Sequence, residues 1–419
     1  MITSLILGCF FGIFTGLLPG LGLFSGLVLI YPYLKTLDVS NIIIFYISMA
    51  AASQYTGSIS AIVLKIPGEA NSVFALKESK ILDKQGKTDQ ALGACAIGSV
   101  VGGAGAIILT WSILPLLEPM VPYMFRSDVK AIILLLSLCA FIYFSDNKLI
   151  ISLVFSIIGF CLSLVGISPF GVERTFGIEK LVGGIPWYPV ILGVLIIPKL
   201  FEDNSKVSLN STNVKFYFNF WITVRSTILG YVGGLVPGIS YIIGPKLAWI
   251  VENKISGDSL KRLLAAETAN NASAYSMIIP LLLLSVPIVS SEAIILDLCN
   301  NKGFQFNWNT TIASGWFSST IIPIIIINVF LGFISYYCIK WLTIWRKIPK
   351  INIFISLLLI LSLIINANDI QYEMLLFFLF FGLGFVLRKF DTLPIVLTFL
   401  MGDQIEQNVI RVLTIYNYI

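Results

Sequence analysis

G-L-L-P-G-L, residues 16–21, returns 218 positions later as G-L-V-P-G-I, residues 234–239. Proline removes a backbone donor and glycine accepts positive φ, so each Pro-Gly pair breaks a helix. The flanking runs, 2–34 and 219–252, are apolar on both sides of the break. Each leaves arms of about 13–18 residues, short of the roughly 20 a full crossing needs and suited to a hairpin that dips in and returns. A small, polar stretch follows each hairpin: A-A-S-Q-Y-T-G-S-I-S (51–60) leading to K-I-P-G-E-A-N-S (65–72), and A-E-T-A-N-N-A-S-A-Y-S (266–276) leading to S-V-P-I-V-S-S-E (285–292). Pro67 and Pro287 stand 220 apart, so the spacing is nearly kept. Features in the same order at nearly one offset argue for internal duplication.

Composition names the solvent. Of 419 residues 57% are hydrophobic and 12% charged, against roughly 45–50% and 25% in soluble domains. Mean hydropathy is +0.92. No soluble core hides this much apolar surface, so the surroundings are largely lipid. The net charge of +5 is spread over short loops, which orients a membrane protein and gives no sign of nucleic-acid binding. With no histidine, His-based zinc sites and proton relays are excluded. The six cysteines sit singly in apolar runs and read as small buried hydrophobes. The N-terminus lacks a basic stretch, so no cleaved signal peptide is expected.

Apolar runs long enough to span lie near 40–66, 89–116, 129–145, 147–165, 185–201, 264–288, 310–338, 351–366, 371–387 and 393–415. The expected organisation is a first membrane repeat (1–201), a polar connector (202–218) and a second membrane repeat (219–419). Charge fixes the topology. If both broken segments return to their side of origin, 18 Lys and Arg face the cytoplasm and six face outward. A single crossing at 219–252 destroys that bias. The first hairpin then dips from outside and the second from inside. The fold expected is an all-α polytopic protein of the prokaryotic cytoplasmic membrane, with two inverted repeats, each holding a re-entrant Pro-Gly hairpin and a broken transmembrane helix.

Unwound backbone at membrane depth is tolerated only where protein buries it or a polar cavity receives it. Broken helix ends present N–H groups that suit a carboxylate and C=O groups that suit Na⁺. The candidate substrate- and ion-binding residues in the first half are Pro19, Gly20, Gly22, Ser53, Gln54, Thr56, Ser58, Lys65, Gly68 and Asn71. In the second half they are Pro237, Gly238, Ser240, Glu267, Asn270, Asn271 and Ser273. The plainer alternative is that the small residues let helices pack closely and the hydroxyls bond between helices. Glu267 lies one turn before Asn270 and Asn271, so it either faces their cavity or pairs with Lys261 and Arg262. Lys65 and Glu69 are one turn apart and suited to neutralise each other. The stretch from Phe74 to Lys87 reads as an amphipathic surface helix.

At these residues the chain resembles the large membrane subunit of the tripartite tricarboxylate transporters, the TctA family. The motifs are L-P-G-L-G (18–22), I-P-G-E (66–69), K-Q-G-K (84–87) and A-L-G-A (91–94), then V-P-G-I (236–239), E-T-A-N-N-A (267–272) and I-P-L-L (279–282) before Pro287. Three departures touch the presumed site: Lys65 in place of an uncharged polar residue, Ile288 in place of a glycine, and Ser240 at the second tip where the first has Gly22. The resemblance implies a permease for small organic anions such as tri- or dicarboxylates, driven by an ion gradient. It also implies two partners, a small membrane subunit and a periplasmic binding protein. No resident cofactor or metal is expected beyond the coupling ion, Na⁺ or a proton. The rival readings are a channel, which usually shows a charged ring or repeated filter, and an intramembrane enzyme, which needs a nucleophile–base pair or metal cluster.

Overall fold

The computed structural model describes all residues except 18–21, 65–71, 118, 120–122, 124–125, 146, 169, 201–213, 236–239, 286, 288, 307–329, 331–350 and 417–419. The Pro-Gly pairs, the I-P-G-E turn, most of the connector and nearly all of the apolar run 310–338 therefore lie outside the described residues. Elsewhere the chain is helical, as composition and hydropathy require. The described strands form one short antiparallel ribbon, β1 (Gly166–Ile167) with β2 (Glu173–Arg174).

The first Pro-Gly break separates α1 (Ile2–Leu17) from α2 (Gly22–Thr36), arms of 16 and 15 residues. Gly22 opens α2 at φ 60, a conformation that a side chain makes costly. A long helix, α3 (Val39–Leu64), follows. Gly8, Gly12 and Gly16 recur every four residues on α1, so they share one face. Methyl groups there would strike the carbonyls of Phe45, Met49 and Ser53. Each pair is 37 positions apart, so α1 and α3 run parallel in backbone-close contact, as small-x-x-x-small seams allow. Gly26 of α2 meets Thr15, while Tyr33 further along stacks near Phe45, 5.9 Å between centroids. Hence α2 runs back along the other two.

The second break makes the same contacts. It separates α9 (Phe220–Gly234) from α10 (Ser240–Ile255), and α11 (Ser259–Ser276) follows. Gly230 and Gly234 press on Ala269 and Ser273, so α9 and α11 are parallel. Gly244 of α10 meets Gly233, and Arg225 pairs with Glu252, so α10 runs back. Gly12, Gly16 and Gly26 correspond to Gly230, Gly234 and Gly244 at an offset of 218. Their targets Met49, Ser53 and Thr56 correspond to Ala269, Ser273 and Ser276 at 220.

α3 and α11 run in opposite directions. Tyr46, early in α3, lies 3.1 Å from Ser291, beyond the end of α11. Glu78, just past α3 on α4 (Val73–Lys84), pairs with Arg262 near the start of α11. Between the units runs α5 (Thr88–Leu117), whose Gly98 and Gly102 lie on Thr268 and whose Gly105 lies on Thr227. Helix α4 is amphipathic, as expected, with Lys77, Lys80 and Lys84 exposed. Its inner face, Ala75, Glu78, Ser79 and Leu82, is buried, where Glu78 accepts from Trp249 Nε1 at 2.7 Å and from both forks of Arg262.

α11 is interrupted. Asp258 caps it, accepting from the Lys261 amide at 3.0 Å. After Met277 the chain continues as α12 (Ile278–Leu284), where Pro280 cannot donate back to Ser276. Ser285 ends α12 at φ 56, and α13 (Ser290–Asn300) follows.

The remaining helices are α6 (Ser127–Phe144), α7 (Leu149–Ser163), α8 (187–200, with a π turn at Leu192–Ile196), α14 (Ile351–Asn366), α15 (Ile370–Val386) and α16 (Leu393–Ile415). Gly159 of α7 lies on Ile395 and Thr398 of α16, and Gly193 in the π turn lies on α15 at Phe380 and Phe381. These helices expose Leu136, Ile150, Ile157, Leu379 and Val386, apolar surface that water would not tolerate at this density. Among the described residues α3 and α5 are long and apolar enough to cross a membrane unaided. Cys9, Cys95 and Cys299 are buried as expected, but Cys139 and Cys161 are exposed on the apolar helices α6 and α7, an outward face that hydrophobicity alone cannot distinguish.

Candidate functional site

The two helices carrying the polar clusters are the most enclosed. α3 is buried along its apolar length, and α11 is buried continuously from Leu263 to Ser276. Ser53, Gln54, Thr56 and Ser58 on α3 and Glu267, Asn270, Asn271 and Ser273 on α11 are all within the interior.

Their hydroxyls divide into two sets. One faces the glycine seams: Thr56 donates to the Ala52 carbonyl at 2.7 Å, Ser273 to Gly230 at 2.8 Å and Ser276 to Ser273 at 3.2 Å. These groups satisfy themselves on backbone while α1 and α9 pack against them. The other set meets where the units join. Glu267 accepts from the Cys95 thiol of α5 at 3.5 Å and lies beside Ser58 of α3, whose hydroxyl also donates to the Gln54 carbonyl at 3.4 Å. Cys95 also bonds Ser58 and Ser99. Asn271, one turn after Glu267, gives its Nδ2 to Ser99 Oγ at 2.9 Å and to the Glu267 carbonyl at 3.2 Å. Its Oδ1 is buried without a hydrogen-bond partner. Residues 58, 95, 99, 267 and 271 thus form one enclosed polar cluster from three helices.

Glu267 does not pair with Lys261 or Arg262. Arg262 is taken by Glu78 on α4, 2.9 Å away, which turns that side chain toward the start of α11. Among the described residues no cation reaches the Glu267 carboxylate. Cys95 and Ser99 were not singled out in the sequence. The signal available was the small-residue run A-L-G-A-C-A-I-G-S (91–99), whose face toward α11 depends on packing.

Of the other candidates, Gly22 is buried at the head of α2, and Ser240 opens α10. Pro19, Gly20, Lys65, Gly68, Asn71, Pro237 and Gly238 lie outside the described residues, as does Ile288.

A separate cavity of about 480 Å³ opens near the α7–α8 connection, lined by Ser168, Arg174, Trp187, Asp297, Asp403 and Glu406. None of the sequence candidates line it. Arg174 is held by Glu406 and by the Leu164 carbonyl at 3.3 Å, and Glu406 with its hydrogen bond keeps the guanidinium firmly charged. Tyr31 of α2 donates to Asp297 at 3.1 Å, at the opposite end of the molecule from the Trp249–Glu78 bond.

The profile of the tripartite tricarboxylate transporter TctA family matches residues 2–398. The chain belongs to the TctA family. This TctA chain is also 26% identical to an uncharacterized 52.8 kDa protein of Agrobacterium vitis from the 3′ region of ttuC′ in TAR-I, over 98% of its own length and 87% of that protein. No solved structure matches it. The family is one of transporters and not of enzymes, its members are membrane proteins, and "tripartite" in its name denotes three components.

Proposed function

We propose that this chain is the large permease subunit of a secondary, ion-coupled transporter for small organic anions of the tri- or dicarboxylate class. It would sit in the prokaryotic cytoplasmic membrane as two inverted repeats, 1–201 and 219–419 joined by a polar connector. Each repeat would hold a re-entrant hairpin and a broken helix, with a small membrane subunit and a periplasmic binding protein as partners.

What supports this reading is the matching glycine contacts of α1–α3 and α9–α11 together with the antiparallel course of α3 and α11, which meet at Ser58 and Glu267. Inverted units around a central polar site are the arrangement in which rocking of one unit on the other exposes the site to either side in turn. The polar atoms that packing consumes, on Thr56 and Ser273, support the site less directly than those at the junction. A carboxylate substrate fits the helix ends beside the two Pro-Gly breaks, where partial positive charge gathers. A channel is disfavoured because the centre is enclosed and lacks a ring of like groups among the described residues.

Reconstituting the permease with its two partners and measuring uptake of radiolabelled tri- and dicarboxylates tests the reading. Saturable uptake that follows an imposed ion gradient is expected. Non-saturating flux, or no carboxylate uptake under any gradient, overturns it.

A further inference from the structure

Resting on that reading, we infer that Glu267 is the proton-binding group that couples transport to a pH gradient. Its carboxylate is 1% exposed and lies between a hydroxyl, Ser58, and a thiol, Cys95. A buried carboxylate that no cation among the described residues reaches is costly, and a proton removes that cost.

The surroundings choose the proton over Na⁺. Sodium, a hard cation, wants several oxygen ligands, and a thiol is a poor one. Among the described residues no second carboxylate joins Glu267 in a group of three His, Cys, Asp or Glu side chains. A protonated carboxyl needs one acceptor for its new hydrogen. Asn271 Oδ1, buried and unpartnered, lies one turn along the same face.

Among the described residues of the neighbouring helices, Cys95 of α5 touches Glu267, and α3 carries no charged residue. Glu78 of α4 is bound to Arg262, Arg225 of α9 to Glu252 of α10, and Lys246 of α10 is exposed.

The cycle is balanced. One proton from water on the loading side converts the carboxylate to the neutral acid, and the same proton leaves to water on the other side. The site joins the units, Ser58 from the first and Glu267 from the second with Cys95 of α5 between them, so rocking of the units changes which water reaches it.

The test uses the reconstituted three-component system with an inward pH gradient of one unit. With one proton per substrate beyond charge balance, one unit sustains at most about tenfold accumulation, since it corresponds to about 1.4 kcal/mol. Wild type is expected to approach that ratio. Glu267→Gln should fall to a ratio near one, and any uptake it retains should no longer vary with pH. Accumulation retained in Glu267→Gln, or wild-type accumulation that follows Na⁺ and ignores pH, overturns the assignment and leaves the transporter reading standing. Absence of wild-type uptake under every gradient overturns both. If Glu267→Gln does not reach the membrane, Ser58→Ala and Cys95→Ala replace it. Each removes a donor from the carboxylate and should shift the pH profile of uptake, and an unmoved profile in both overturns the assignment.

Discussion

Arg262 and Glu78 show what one residue can decide. Glu78 is fully buried, and its forked partner holds α4 of the first unit against α11 of the second. Removing one member of a buried pair strands the other charge, at about 3–5 kcal/mol. Arg262→Met should therefore lower the unfolding midpoint in detergent severely. Arg262→Met with Glu78→Gln should recover most of the loss, because the side-chain amide oxygen then keeps an acceptor for Trp249. Equal loss in the single and double variants would show that shape and not charge sets the cost. The glycines of the seams make a second case. At Gly12 and Gly230 a methyl would strike the carbonyls of Met49 and Ala269, with no flexible side chain to yield. Overpacking of this kind costs about 1–3 kcal/mol, so Gly12→Ala and Gly230→Ala should each reduce the folded yield. Similar thermal stability for both variants and wild type would refute the backbone-close packing.

At the scale of elements, helix ends carry the testable content. Asp369 caps α15, accepting from the Tyr372 amide at 3.0 Å, and Lys180 lies 2.6 Å from its carboxylate. The Lys180 hydrogen bond, then the cap, hold Asp369 below the usual carboxylate value of 3.8. With the folded value lowered, the stabilising contribution is present above the unfolded value and lost as pH falls through the folded one. Thermal unfolding in detergent should thus show a small acid-side loss below about pH 4 that Asp369→Asn abolishes. A profile unchanged by the substitution would assign that loss to other carboxylates. Asp258 gives the companion case for α11: Asp258→Ala should cost about 1 kcal/mol, the usual worth of an N-cap.

For the whole molecule, direction is the central property. Lys215, ahead of α9, and Lys254, at the end of α10, belong to one end of the molecule, since Lys215 pairs with Asp89 at the start of α5 and Arg225 near it pairs with Glu252. Lys302 belongs to the other end, bonded to the Lys35 carbonyl beside the Tyr31–Asp297 contact. On a background without native cysteines, Lys215→Cys and Lys254→Cys should both label from the cytoplasm with an impermeant thiol reagent. Lys302→Cys should label from outside. Labelling of 215 and 254 from opposite faces would remove the re-entrant hairpin and, with it, the inverted repeat.

The chemistry of the chain by itself determined the solvent and the helical class. Hydropathy states which surroundings tolerate a side chain, and Pro-Gly states where a helix stops, and both are local properties legible along the chain. The offset of 218 between the breaks already contained the correspondence of Gly16 with Gly234. Only the tertiary structure decided which polar residues meet. Thr56 and Ser58 are two positions apart on α3 and both bond back to their own helix, yet only Ser58 also lies beside Glu267. Glu267 found Cys95, 172 positions away, instead of the nearby Arg262. Helix faces turn about 100° per residue, so the choice between a packed hydroxyl and a working one rests on where the neighbouring helix crosses. The glycine seams fix that crossing through backbone contacts between distant segments.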